Sequence, residues 1–190
     1  MNPNNIRTFI ALELDERIRL KIKKIQDHLK NIDADITWVK PENIHLTLKF
    51  LGNVPGESIE KISDAICQVA KNISSFDLEL TNYGYFPKNR SPQVLWINVD
   101  EGKDSIKKIA AALASPLEAF CEKVDNKEFS PHITIGRVKS NKNISQLLAE
   151  FSKPPASLNE TQKVRFVTLF KSDLKSSEPE YTIIKKFQLI

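Results

Sequence analysis

Two short segments of the chain each place a histidine two residues before a threonine. They are "HLTL" at residues 45–48 and "HITI" at residues 132–135. Side chains alternate between the two faces of a β-strand, so the histidine and threonine of each segment share one face and the aliphatic residues share the other. At a rise of about 3.3 Å per residue, the two polar side chains stand roughly 6 to 7 Å apart. Each segment therefore predicts a strand with an apolar face and a polar face.

The repeated pairing favours acid and base chemistry on a phosphodiester. Neutral and protonated imidazole are both accessible near pH 7, so one histidine can take a proton from water while the other gives a proton to a departing oxygen. In this hypothesis His45 and His132 are catalytic, and the hydroxyls of Thr47 and Thr134 hold the non-bridging phosphoryl oxygens. Chance would produce two such pairings in roughly one comparable sequence in two hundred. The near-symmetric motifs leave open which histidine is the acid.

Other interpretations of the two histidines remain open at this point. Both could be core histidines that bond to the neighbouring threonine hydroxyls. They could also bind zinc, although neither segment has a Cys or a carboxylate in step with its histidine, and a catalytic zinc uses about three protein ligands. The same polar face could bind a phosphodiester without turnover, although binding alone needs neither an acid nor a base. We expect no metal and no other cofactor.

Strands and helices alternate along the chain around these segments. Alternating and apolar runs predict strands at residues 6–14, 36–52, 76–86, 93–99, 132–138, 163–170 and 181–189. The strand at 36–52 is expected to break at Pro41 and to stop at Gly52. Helical spacing of apolar residues predicts helices over residues 18–32, 59–73 and 106–120, the last kinked or split at Pro116, and a short helix over 144–151. Trp38 and Trp96 are expected to anchor the core.

Length and composition limit the organisation of the chain. The length of 190 residues is typical of one globular domain, here residues 1–190. Charged residues make up 27% of the chain, and the net charge of +4 is typical of a surface that carries both positive and negative side chains. The two motifs begin 87 residues apart, which predicts two similar lobes. Neither a signal peptide nor a membrane span of about 18 apolar residues is apparent. Cys67 and Cys121 lack metal spacing, so reduced thiols and a cytoplasmic location are expected.

The whole pattern resembles the 2H phosphoesterase superfamily, in particular its RNA 2',3'-cyclic phosphodiesterase branch, also called 2'-5' RNA ligase. The resemblance runs through "WVKPENIHLTLKFLGNV", "YFPKNRSPQVLWINV" and "FSPHITIGRV" and covers nearly the whole chain. It implies an α+β fold of two pseudo-symmetric lobes, with antiparallel sheets flanked by helices and a central groove. It also implies metal-independent opening of 2',3'-cyclic phosphate ends of RNA, or of small cyclic nucleotides, to 2'-phosphates, and we expect a monomer. Joining of 2'-5' RNA ends by the same site and a non-catalytic module that binds RNA ends are the alternatives.

The resemblance also implies roles for individual residues. His45 is expected to donate a proton to the leaving 3' oxygen, and His132 to act as the base on water. Arg137 matches a family arginine five residues after the second histidine. Because strict alternation would direct Arg137 away from His132, we expect a bulge or a strand end at Gly136 to turn it toward the groove. The corresponding residue of the first segment, Phe50, is a candidate for stacking on a base, together with Tyr83, Tyr85 and Phe86.

Overall fold

The computed structural model describes residues 4–122, 128–151, 153, 160–175 and 179–190. These residues form nine strands, named β1 (Asn5–Glu13), β2 (Ile36–Trp38), β3 (His45–Pro55), β4 (Phe76–Phe86), β5 (Val94–Val99), β6 (His132–Val138), β7 (Glu160–Val164), β8 (Phe166–Leu174) and β9 (Pro179–Gln188). They also form four α-helices, named α1 (Glu16–Lys30), α2 (Ile59–Ala70), α3 (Lys103–Ala114) and α4 (Ile144–Phe151).

The two histidine motifs lie on neighbouring strands at the centre of one sheet. The strand order is β7-β4-β5-β6-β3-β1-β8-β9, and β2 pairs with the free edge of β6. All strand pairs in the described ranges are antiparallel, and the central pair, β3 with β6, meets at Leu46 and Ile133. The sheet therefore divides at this pair into one lobe with β4, β5, β6 and β7 and another with β1, β3, β8 and β9. The expected mixed α and β fold is confirmed.

The apolar faces of the helices and strands form the core. Leu46, Leu48, Ile133 and Ile135, which alternate with the motif residues, are buried in the main apolar cluster. Helix α2 packs against α3, β8 and β9, α3 packs against β3, and α1 contacts α4. The alternation of the motifs thus turns the aliphatic side chains toward the helices and the histidines and threonines toward the opposite face of the sheet.

The predicted interruptions and ends of the strands agree with the structure in part. The break at Pro41 is confirmed, since a short 3₁₀ turn, Pro41–Asn43, separates β2 from β3. The predicted stop at Gly52 is wrong: Gly52 has a φ of +81°, pairs with Thr8, and β3 continues to Pro55. Glycine adopts this conformation without strain, so it makes an irregularity inside the strand and does not end it. The strand predicted over 163–170 is divided between β7 and β8.

Candidate active site

The pairing of β3 with β6 brings the two motifs together. Leu46 lies opposite Ile133, and an antiparallel register extended by one residue on each side places His45 opposite Thr134 and Thr47 opposite His132. The four polar side chains are half-buried and share one face of the sheet, where they form a four-residue cluster with approximate two-fold symmetry. The structure therefore brings together all four residues that the two motifs predicted.

Both imidazoles are held through the same nitrogen. Nδ1 of His45 lies 2.7 Å from the carbonyl oxygen of Asn43, and Nδ1 of His132 lies 2.8 Å from the carbonyl oxygen of Ser130. A carbonyl oxygen only accepts hydrogen bonds, so Nδ1 carries the proton in both rings. When neutral, each ring therefore keeps the lone pair on Nε2. Each Nε2 can accept a proton, or donate one once the ring is protonated.

In the His45 segment the threonine hydroxyl bonds to the histidine. Nε2 of His45 lies 3.0 Å from Oγ1 of Thr47. Because the Nδ1–H of the neutral ring is already engaged, the hydroxyl of Thr47 donates to Nε2. A ligand oxygen that entered between the two groups would accept the hydrogen bond of the Thr47 hydroxyl, and would accept a second one from Nε2 of His45 once that ring is protonated.

His45 sits in an aromatic pocket that disfavours its charged form. Its ring centroid lies 4.8 Å from that of Phe9, 5.3 Å from that of Tyr181 and 6.3 Å from that of Phe170. Burial lowers the pKa of His45 to about 4, although the bond to the Asn43 carbonyl acts in the opposite direction. The free protein therefore holds His45 neutral at pH 7.

The surroundings of His132 are also aromatic but come from the other lobe. The ring of Phe86 packs edge-on against His132 with centroids 5.4 Å apart, and the indole of Trp96 lies 6.2 Å away. Trp96 itself lies flat against Gly84, its partner across β4 and β5. The expectation that Trp96 anchors the core is wrong, because it points to the same face as Thr134, its partner across β5 and β6.

A β-bulge directs Arg137 toward the catalytic face. Trp96 pairs with Thr134 while the next residue back, Leu95, pairs with Gly136, so Ile135 is an extra residue in β6. Beyond the bulge Arg137 lies opposite Val94, on the face that carries Thr134 and His132. The irregularity that the sequence predicted at Gly136 is therefore confirmed, with Ile135 as the inserted residue.

Two arginines lie close to Tyr181, at the edge of the His45 pocket. Burial raises the pKa of Tyr181, and the positive charges of Arg137 and Arg7 act in the opposite direction. Both guanidinium groups are therefore near enough to act on the phenol through their charge. Neither arginine forms an ion pair within the ranges that the structure describes. Arg137 lies on β6 and Tyr181 on β9, on opposite sides of the pairing of β3 with β6, so the charge of the arginine acts across this junction.

Phe50 lies on the site face of the other lobe. It pairs with Phe9 across β1 and β3, its ring centroid is 5.9 Å from that of Phe9, and 62% of its surface is exposed. Tyr83, by contrast, stacks on Phe151 at 4.6 Å inside the core, where burial raises its pKa to about 12. Of these aromatic candidates, Phe86 thus contacts His132 directly, Phe50 reaches His45 only through the intervening ring of Phe9, and Tyr83 packs away from both histidines.

Sequence reasoning did not identify Arg7, Phe9, Phe170 or Tyr181 as part of the site. The only local signal was the alternation in the first strand, which puts Arg7 on the face of Phe9. Phe170 and Tyr181 come from β8 and β9, near the end of the chain, and reach His45 through the pairing of β1 with β8 and β8 with β9. Contacts of this kind depend on the sheet order.

The described residues contain neither a metal-binding cluster nor a membrane-spanning helix. No group of three or more His, Cys, Asp or Glu side chains is arranged to hold a metal ion in the described ranges. Across the same ranges, every helix is too short or too polar to cross a lipid bilayer.

Comparisons with known proteins identify the class to which this fold and site belong. A family model described as the 2'-5' RNA ligase superfamily matches residues 14–171. A Thermotoga maritima protein named RNA 2',3'-cyclic phosphodiesterase is 33% identical over 184 residues, which are 96% of this chain and 95% of that protein. A Methanothermobacter thermautotrophicus protein of the same name is 30% identical over 187 residues, covering 97% and 99% of the two chains.

A solved structure agrees with these sequence matches. The crystal structure of Escherichia coli LigT complexed with 3'-AMP has a TM-score of 0.81 and 26% identity to this protein, covering 97% of this chain and 98% of that one. The fold is that of a 2H phosphoesterase. The chain belongs to the 2'-5' RNA ligase superfamily.

Proposed function

We propose that the protein hydrolyses 2',3'-cyclic phosphate ends of RNA, or of small cyclic nucleotides, to 2'-phosphomonoesters without a metal ion. The observation that carries this proposal is the pair of imidazoles on adjacent strands, each tied through Nδ1 to a carbonyl two residues earlier. Each presents Nε2 to a common face, and each has a threonine beside it. The names of the relatives, RNA 2',3'-cyclic phosphodiesterase, support the choice of substrate.

The reaction needs one proton acceptor and one proton donor. His132 Nε2 takes a proton from water as the water oxygen forms a bond to phosphorus, and the bond from phosphorus to the 3' oxygen breaks. Protonated His45 gives its Nε2 proton to that leaving oxygen, so the product carries a 2'-phosphate and a 3'-hydroxyl. This order follows the family resemblance. In-line displacement places the acid and the base on opposite sides of the phosphorus, as two facing strands allow.

The neutral state of His45 in the free protein is compatible with the role of acid. Burial lowers the pKa of His45 to about 4. A cyclic phosphate brings a negative charge next to the ring and raises that pKa in the complex, because an anion favours the imidazolium. Substrate binding therefore loads His45 with its proton, and the aromatic pocket makes the resulting imidazolium a strong acid.

The remaining polar groups hold the phosphate. Thr47 and Thr134 flank the histidines and donate hydroxyl hydrogens to the non-bridging oxygens, where negative charge accumulates. Arg137 adds a guanidinium that can bind an oxygen with charge assistance. Phe50, which is largely exposed beside Phe9, offers a surface on which a nucleobase can stack. We propose that the protein acts as a monomer in the cytoplasm.

The first test is hydrolysis of a nucleoside 2',3'-cyclic phosphate in excess EDTA, with the 2' and 3' monophosphates separated by chromatography. Release of the 2'-phosphate is the expected result. Activity that depends on added metal, or release of the 3'-phosphate, would contradict the mechanism. Absence of hydrolysis combined with joining of RNA ends would assign the site to ligation, and binding of RNA ends without either reaction would assign it to recognition.

A further inference from the structure

The buried face of α1 contains an unexpected amide. Gln26 is 1% exposed, and it shares its buried face with Ile18, Ile22 and Leu29. Nε2 of Gln26 donates to the carbonyl oxygen of Val39 at 2.8 Å and to that of Ile135 at 2.9 Å. A buried amide without partners destabilises the folded state, whereas an aliphatic side chain would fit this face at no such cost. The amide is therefore explained by its two acceptors and not by the packing of the helix.

One of these acceptors belongs to the bulge of β6. Ile135 is the inserted residue, since Thr134 and Gly136 take consecutive partners in β5. Its carbonyl oxygen accepts from Gln26 and also from the backbone N–H of Val39, 3.0 Å away. Two donors, one from α1 and one just after β2, thus hold the carbonyl of the inserted residue at a fixed place.

The bulge decides the face on which Arg137 lies. If the register had continued from the Trp96 and Thr134 pair without an insertion, Val94 would face Gly136, and Arg137 would pass to the core side of the sheet. With the insertion, Arg137 lies opposite Val94 on the side of the histidines, where its charge reaches Tyr181. The position of the guanidinium therefore depends on the backbone at Ile135.

We propose that Gln26 is a positioning residue for Arg137. It touches no substrate, and it acts by holding the Ile135 carbonyl so that the bulge persists and Arg137 faces the phosphate. The inference deepens the proposed function and rests on it, because it takes Arg137 as the cation that binds the phosphate.

The test is a double-mutant cycle with a matched control. Gln26→Met removes both donors and keeps the length of the side chain. The control is Gln162→Met, because Gln162 is also a buried glutamine, 6% exposed. Its Nε2 donates to the carbonyl of Glu13 at 2.9 Å and its Oε1 accepts from the N–H of Asp15 at 2.8 Å, with no bond to β6. Each variant is made with and without Arg137→Met, and kcat/KM is measured for a nucleoside 2',3'-cyclic phosphate.

In the wild-type background we expect Arg137→Met to lower kcat/KM on the order of 10²-fold. In the Gln26→Met background the same substitution should cost no more than about 3-fold, because the guanidinium is already misplaced. In the Gln162→Met background the full loss should remain. An equal loss from Arg137→Met in the wild-type and Gln26→Met backgrounds would overturn the proposal.

A second measurement separates this inference from the proposed function. The NMR resonance of the Arg137 Nε–H group, assigned by its loss in Arg137→Lys, should shift in Gln26→Met and stay in place in Gln162→Met. If the wild type lacks activity but the resonance shifts, the function fails and the positioning role stands; an unmoved resonance overturns the positioning role. Should Gln26→Met fail to fold, Gln26→Leu replaces it, because a leucine matches the other aliphatic residues of this buried face and has no donor.

Discussion

The two candidate catalytic histidines have the same hydrogen-bond arrangement in different surroundings. Both donate through Nδ1 to a carbonyl two residues earlier, which leaves Nε2 for the ligand. The pocket of His45 is built by Phe9, Phe170 and Tyr181, whereas His132 packs against Phe86 and Trp96. The motif sequence is nearly symmetric, so any difference in their chemistry arises from these neighbours.

The buried state of His45 makes folding stability depend on pH. Its folded pKa of about 4 lies below the unfolded value near 6.5, so the unfolded chain binds more protons between these values, and stability falls as pH falls through this window. We expect His45→Asn to remove up to about 3 kcal/mol of this loss. Denaturant unfolding of both proteins from pH 7.5 to pH 4.5 measures the difference. Parallel curves for the two proteins would mean that burial does not depress this pKa.

The threonine hydroxyls can be tested separately from the shape of their side chains. Thr47→Val and Thr134→Val each keep the volume and remove the hydroxyl, so each should lower kcat on the order of 10²-fold by removing a donor to the phosphoryl oxygens. Thr47→Ser and Thr134→Ser keep the hydroxyl and serve as controls with most of the activity retained. Full activity of both valine variants would show that these hydroxyls do not hold the phosphate.

At the residue scale, the sequence predicts the features that depend only on the alternation of side chains within one strand. The faces of His45 and Thr47 follow from a period of two, and the structure agrees. Tyr181 was not predicted, because it reaches His45 across β1, β8 and β9, from 136 positions further along the chain. Long-range strand order leaves no local pattern from which such a neighbour can be inferred.

At the scale of the elements, the two motif strands share an irregularity at the same place. In β3, Thr47 pairs with Ala11 and Lys49 with Ile10, so Leu48 is an extra residue three positions after His45. In β6 the extra residue, Ile135, lies three positions after His132. Gly136 predicted the second bulge, but the first has no glycine beside it and was missed. Each bulge brings the residue five positions after the histidine, Phe50 or Arg137, to the site face.

The packing of β4 against β5 offers a test of the aromatic support of His132. A Cβ added to Gly84 would lie 2.2 Å from Cζ2 of Trp96, so Gly84→Ala must displace the indole. We expect a loss of about 1–3 kcal/mol in unfolding free energy together with reduced activity. In a Trp38→Phe background, Trp96 is the one remaining tryptophan, so its fluorescence reports the displacement. An unchanged emission spectrum in Gly84→Ala would contradict this packing.

At the scale of the whole molecule, the lobes are not the two halves of the sequence. The spacing of the motifs predicted two similar lobes, but β8 and β9 return to pair beside β1, so the first and last parts of the chain form one lobe. The middle part, from β4 to β7, forms the other. The repeated motifs predicted the symmetry of the site. The position of β8 and β9 beside β1 depends on long-range strand pairing, which the spacing of motifs in the sequence does not predict.

The charge distribution across the groove predicts how RNA ends differ from mononucleotides. Arg7 lies near Tyr181 at the edge of the site, where it can meet a phosphate upstream of the cyclic end. We expect Arg7→Ala to weaken binding of a short RNA with a cyclic end and to reduce its log–log salt slope by about 0.7, with little effect on a mononucleotide. The control is Arg165→Ala. Arg165 lies between β7 and β8, roughly 20 Å from Tyr181 when the distance is measured along β8. Equal effects of Arg7→Ala on both substrates would exclude this contact.

The most direct test of paired histidine catalysis is the pH dependence of kcat/KM for a nucleoside 2',3'-cyclic phosphate in EDTA, measured for the wild type, His45→Ala and His132→Ala. The wild type should give a bell-shaped profile, because one histidine must be protonated and the other neutral. Each alanine variant should lose on the order of 10²-fold or more. His132→Ala should lose the ascending acidic limb, and His45→Ala the descending alkaline limb. A wild-type rate that keeps rising through alkaline pH, or comparable turnover by either variant, would contradict the assignment of His45 and His132 as the acid and base.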